Sequence, residues 1–247
     1  MPVPRRKGLS VIGGVPVAFI AIFAALLVAA AFIPVIPLTA IGVTLGAQQI
    51  LIPLTGIVMG PIAGPVATIA GGLVAGSVAP HTAAFGPLSA FTQSVSSLVA
   101  ALVIDGLWQY ASGILAVLIA LYYVMGFGAV VPYYPWGYIL TLILVVSPLR
   151  AVGVKAWNER KTGRMLVGGF LAALSGVMAE HALGSLIWYK AFQVPLDVWK
   201  YIQFVYFPER LPLVIVTALL SVAIVKALDK VQMPIRMDFP KDTAKGT

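Results

Sequence analysis

The sequence predicts an all-α fold, a polytopic bundle of membrane-spanning helices with six to eight spans and both termini cytoplasmic. Three observations carry that expectation. Of the 247 residues, 60% are hydrophobic and 10% charged, whereas soluble domains carry about 25% charged residues. Between Lys7 and Arg150 the only charged side chain is Asp105, and no water-soluble fold leaves so long a stretch without charge. Apolar runs recur at lengths near the roughly 20 residues that a helical span needs.

The expected organisation is a cytoplasmic segment over residues 1–14, a helical bundle over 15–228 and a cytoplasmic tail over 229–247. The first apolar run, about 15–33, follows Arg5, Arg6 and Lys7. It is too long for a cleavable signal and lacks an Ala-x-Ala site, so it reads as a retained span. Pro34 and Pro37 end it, because proline cannot donate the ladder bond. A second span covers about 40–59, and Gly60-Pro61 makes a tight reversal.

The third span, GPIAGPVATIAGGLVAGSVAP, is unusual in composition. Small residues recur every fourth place, as Ala63, Ala67, Gly71, Ala75 and Ala79, and a second row runs through Gly60, Gly64, Thr68, Gly72 and Gly76. Each glycine costs a helix in water up to about 1 kcal/mol. A bilayer offers the backbone no alternative partner, so such a helix persists there. Its two flat faces either admit neighbouring backbones closely or leave room for a ligand.

The remaining spans follow at about 88–104, 107–125, 137–149, 165–189 and 211–228. The first of these carries Thr92, Gln93, Ser94, Ser96 and Ser97, which places it inside the bundle. Asp105-Gly106 is a turn signal. Residues 190–210, rich in aromatics, read as an amphipathic connection at the interface. Two tight connections, between spans two and three and between four and five, leave room for a re-entrant piece.

Lysine and arginine set the orientation. Of 16 positive residues, 13 fall in residues 1–14, 150–164 and 226–247, which places both termini inside. The net charge of +8 therefore belongs to membrane-flanking segments, and a nucleic-acid partner is not expected. The absence of cysteine excludes disulfides, thiol catalysis and cysteine metal sites.

Few residues can carry chemistry. Glu180 and His181 lie within an apolar run, with Trp188 and Tyr189 two turns on. An ionisable residue inside a span costs about 2.5–3.5 kcal/mol and marks a functional site by default. His81 is expected at a similar height. These groups could line a pocket open to the outside; equally, Glu180 could be solvated or paired with Lys190 or Arg210, and His81 could be a plain loop residue. Gln48 and Gln49 are adjacent mid-span amides, one serving as interhelical glue and Gln48 being the candidate contact to a polar ligand. Two histidines and a glutamate meet the bare requirement for zinc, but no HExxH is present. No phosphate loop, dinucleotide fingerprint or nucleophile elbow appears. No catalytic residue, metal or cofactor is therefore expected.

Three stretches resemble the substrate-binding (S) components of energy-coupling factor (ECF) transporters. They are the row Ala21, Ala25 and Ala29 in the first span, the glycine-rich run from Ile52 to Pro80, and EHALGSLIW from Glu180 with FPERLPLVIVTALL from Phe207. The resemblance implies a non-enzymatic subunit that captures a vitamin-like small molecule at its outer side. It further implies docking on a transmembrane coupling subunit bearing two ATPase subunits. On this sequence Ala21, Ala25 and Ala29 would be the docking row. Glu180, His181 and Trp188 would be ligand contacts, with His81 a weaker one. Two departures stand out: the family has six spans against eight apolar segments here, and a long first loop against the short Pro34 to Thr39. A structural subunit of a larger membrane complex, or a membrane-embedded enzyme using His81, Glu180 and His181, are the other classes the residues allow.

Overall fold

The computed structural model describes residues 10–38, 43–192 and 194–230. It is an all-α bundle trimmed by two small strand pairs. β1 (Val11–Ile12) pairs with β2 (Val15–Pro16) before α1 (Val17–Ala31). β3 (Pro34–Leu38) pairs antiparallel with β4 (Val43–Gly46) after it. The second expected span was placed from about residue 40, but β4 occupies its first part and helix begins only at Gln48. The β-branched residues of PVIPL and VTLG suit a strand ladder, a pairing that hydrophobicity alone does not reveal.

α2 spans Gln48–Val78. A straight helix would place Thr55 about 20 Å from Thr68, yet their Oγ1 atoms lie 2.9 Å apart. The helix turns back on itself at Gly60, whose φ of 84° and ψ of −178° fall in a region open essentially to glycine alone. The result is a hairpin of two antiparallel arms, 48–59 and 61–78. Both faces of the second arm are used for packing. Ala63, Ala67, Gly71, Ala75 and Ala79 are buried and face α1: a Cβ on Gly71 would sit 2.8 Å from the Ala24 carbonyl oxygen, and Ala75 and Ala79 cluster with Ala31. The other row meets α3 (Leu88–Ile104) and the first arm. A Cβ on Gly64 would fall 2.7 Å from both Gly56 Cα and Ser97 Oγ.

The polar face of α3 is buried, as expected for a helix inside the bundle. Ser97 Oγ lies 2.8 Å from Thr55 Oγ1, which also bonds the Ile52 carbonyl at 2.7 Å. With Thr68 this forms a closed hydroxyl cluster where three backbones cross. Such bonds between membrane helices contribute about 0.6 kcal/mol each.

α4 (Trp108–Val124), the single turn α5 (Phe127–Val130) and α6 (Trp136–Val146) come next. α7 (Leu149–Asn158) bends 61° from α6. Arg150 lies over Trp108, 3.9 Å from the ring centroid. α8 (Thr162–Ala191) and α9 (Leu196–Lys230) complete the bundle. The α7–α8 turn is tied to the end of α9 by Arg160–Asp229 at 2.7 Å and by a bond from Lys226 to the Thr162 hydroxyl. Lys161 approaches Glu159 to 2.6 Å and holds its carboxyl below the usual carboxylate range.

α9 corrects another expectation. Residues 190–210 were read as an interfacial connection, but helix begins at Leu196 and runs on through Pro208 and Pro212. Trp199, Gln203, Tyr206, Phe207 and Arg210 recur at helical spacing and are all buried. That face looks into the bundle, while Phe192, Tyr201 and Phe204 of the same stretch are exposed. The stretch is amphipathic as expected but is helical from Leu196 rather than a connection.

By length and hydropathy three helices can cross a membrane, α2, α8 and α9, or four if α6 and α7 form one bent span. The reversal at Gly60 divides α2 into a short arm, 48–59, and a longer one, 61–78, so α2 is a hairpin and not one straight span. Large apolar side chains cover the outside, among them Ile22, Ile62, Val117, Ile143 and Leu219. That surface is what a lipid-embedded bundle presents and what a soluble monomer avoids.

Candidate functional site

A cavity of about 190 Å³ opens among β4, the first arm of α2, the start of α3, and facing stretches of α8 and α9. α8 contributes Val177, Glu180, His181, Gly184, Ser185 and Trp188, an alternation of three and one that keeps to one helical face. α9 contributes a matching stripe from Trp199 to Leu213. The small-residue arm 61–78 does not line the cavity; its faces hold helices.

One wall is aromatic and internally bonded. Tyr206 donates to the Tyr134 carbonyl at 2.9 Å and accepts from the Gly137 N–H at 2.9 Å. Its ring stacks on His181 with centroids 4.6 Å apart and planes 13° apart. Tyr138 lies 2.7 Å from His181 Nδ1, and Tyr134 lies 3.0 Å from Ser185 Oγ. His181 is thus held by a ring on one side and a hydroxyl at its edge. Further along α8, Trp188 meets Phe85 edge to face at 5.7 Å.

The charged groups are three. Arg210 is 8% exposed; it donates to the Tyr206 carbonyl at 3.2 Å and lies 3.6 Å from Glu209. Glu180 has Gln49 and Ser96 as polar neighbours, but its buried Oε2 has no hydrogen-bond partner. Ser96 Oγ is likewise buried and unpartnered. Among the described residues Glu180 has no cationic side chain within 4.0 Å. The expected close ion pair with Arg210 or Lys190 does not form: Arg210 lies 3.6 Å from Glu209 and acts on Glu180 only at longer range, and Lys190 is exposed beside Tyr189.

The structure brings together Glu180, His181 and Trp188 and leaves two other candidates outside. His81 sits exposed on the 3-10 turn Pro80–Thr82 and does not reach the cavity, whereas Thr82 does. Of the two adjacent amides, Gln49 lines the cavity; Gln48 is buried elsewhere, about 100° round the helix. Tyr134, Trp199, Tyr206, Glu209 and Arg210 were missed. For the four on α9 the signal was the helical spacing of aromatics ahead of Glu209-Arg210; Tyr134, between α5 and α6, had none. Ala21, Ala25 and Ala29 are all exposed on the outer face of α1, while Phe23, Leu27 and Ala31 face inward. Among the described residues no three His, Asp or Glu side chains converge as metal ligands.

Comparison with known proteins gives one distant relative. The chain is 26% identical over 189 residues to an uncharacterised protein of Methanocaldococcus jannaschii, a match covering 76% of this chain. The matched region spans 63% of that relative's length. No protein-family model and no solved structure matches the chain.

Proposed function

We propose that this chain is the membrane-embedded capture subunit of an uptake transporter for a vitamin-like micronutrient. In this reading it crosses the bilayer six to eight times with both termini cytoplasmic. It docks through Ala21, Ala25 and Ala29 on a transmembrane coupling subunit that carries ATPases. The cavity carries the reading. It is enclosed by helices, rich in aromatics, and furnished with a few polar groups, which is the make-up of a small-molecule site. The basic segment around Arg160 and Lys161 lies at the end of the bundle where α8 begins, and the cavity lies toward the end where α8 finishes. With positive residues inside, the cavity faces outward, as capture requires.

The exposed alanine row supports docking because small side chains let another helix approach closely. The same row would also suit a purely structural subunit. The deciding experiment is a thermal-shift screen of the purified chain against vitamins, with a search for coupling and ATPase subunits that co-purify from native membranes. Stabilisation by one compound together with co-purification is expected. Co-purification with an unrelated complex and no stabilisation would favour the structural subunit.

A further inference from the structure

We infer that the captured molecule is an organic cation, its charge seated against Glu180 and its apolar body against aromatic rings. This rests on the capture reading and adds the ligand's chemistry to it. The cavity holds two carboxylates and one guanidinium. Arg210 and Glu209 lie 3.6 Å apart and offset one another. Glu180 has polar neighbours in Gln49 and Ser96 and feels the Arg210 charge at longer range. Its Oε2, however, makes no hydrogen bond within 3.5 Å, and no protein cation lies within 4.0 Å of it among the described residues.

A carboxylate enclosed by helices is costly without a positive partner. His181 does not supply one: neither ring nitrogen lies within 4.0 Å of the Glu180 carboxylate, and Nδ1 meets the Tyr138 hydroxyl instead. The remaining wall is suited to the same ligand. Phe85, Trp188 and Trp199 line the cavity, and aromatic faces attract cations, tryptophan most strongly. An anionic ligand would meet two carboxylates and displace Glu209 from Arg210. A neutral one would leave Glu180 unpaired.

The test uses the full chain in detergent and three probes with one common body: benzylamine, benzyl alcohol and benzoate. Equilibrium binding is measured by calorimetry. Benzylamine, a cation at neutral pH, is expected to bind roughly tenfold or more tighter than benzyl alcohol, with benzoate weakest. Glu180→Gln should bring benzylamine to within about twofold of the alcohol, the gain from a charged contact being lost. Glu209→Gln should keep the amine preference and raise benzoate affinity by freeing Arg210. Glu180→Asp retains the charge and should retain the preference, which covers the case of a poorly folded glutamine variant. Equal binding of all three probes, no binding of benzylamine, or an amine preference that survives in a folded Glu180→Gln variant would each overturn the inference. Failure here with a vitamin hit and co-purifying subunits would remove only the cationic chemistry; failure of both would remove capture itself.

Discussion

Tyr138 shows how one hydroxyl fixes a site. Its oxygen is buried 2.7 Å from His181 Nδ1 and 3.3 Å from Ser185 Oγ. Tyr138→Phe leaves both partners short of a contact, at a cost of about 1–3 kcal/mol. Unfolding in detergent should register that loss, and binding at the cavity should weaken with it because the imidazole is no longer held. A control is available in the hydroxyl cluster away from the cavity. Thr55→Val breaks the link between both arms of α2 and α3 and should destabilise by about 1 kcal/mol while leaving cavity binding unchanged. At this scale the sequence was partly legible. Glu180 and His181 stand out because charge is rare in an apolar run. Arg210 did not, because it closes a run of aromatics and was counted as a loop cation. The choice between Gln48 and Gln49 is a matter of helical phase, and phase cannot be read until the first residue of the helix is known.

The hairpin of α2 is the element on which the packing turns. Gly60 adopts a backbone conformation that other residues avoid, and Gly60→Ala should cost about 1–3 kcal/mol, measured as a lower melting temperature. Gly56 faces the Ser97 backbone so closely that a side chain there would run into its carbonyl oxygen. Gly56→Val should therefore abolish folding of the α2–α3 pair. By contrast Ala25 is exposed on α1. Ala25→Leu should leave stability within about 0.5 kcal/mol but block co-purification of a coupling subunit. The reversal at Gly60-Pro61, the span of α3 and the two-faced use of the small residues were readable from sequence, since glycine and proline act locally. β4 and the early start of α9 were not. A strand partner is chosen by pairing, which leaves no hydrophobicity signal of its own, and the inward face of α9 left only the helical spacing of Trp199, Gln203, Tyr206 and Arg210.

Taken whole, the molecule has a basic end and a cavity end. The chain has no cysteine, so introduced thiols report sidedness cleanly. A cysteine replacing exposed Lys161 should react only with reagent inside the cell, and one replacing Tyr133, 78% exposed, only with reagent outside. The central claim is that the cavity among α2, α3, α8 and α9 holds a small molecule taken from the cavity side. Native mass spectrometry of the chain extracted from its own membranes tests it most directly, alongside Ala84→Trp, which adds a large ring to the cavity lining and leaves its charged residues in the sequence. One small molecule per wild-type chain, absent from the Ala84→Trp variant, is the expected result. A bare wild-type chain, or an adduct that persists unchanged in the filled variant, would contradict it.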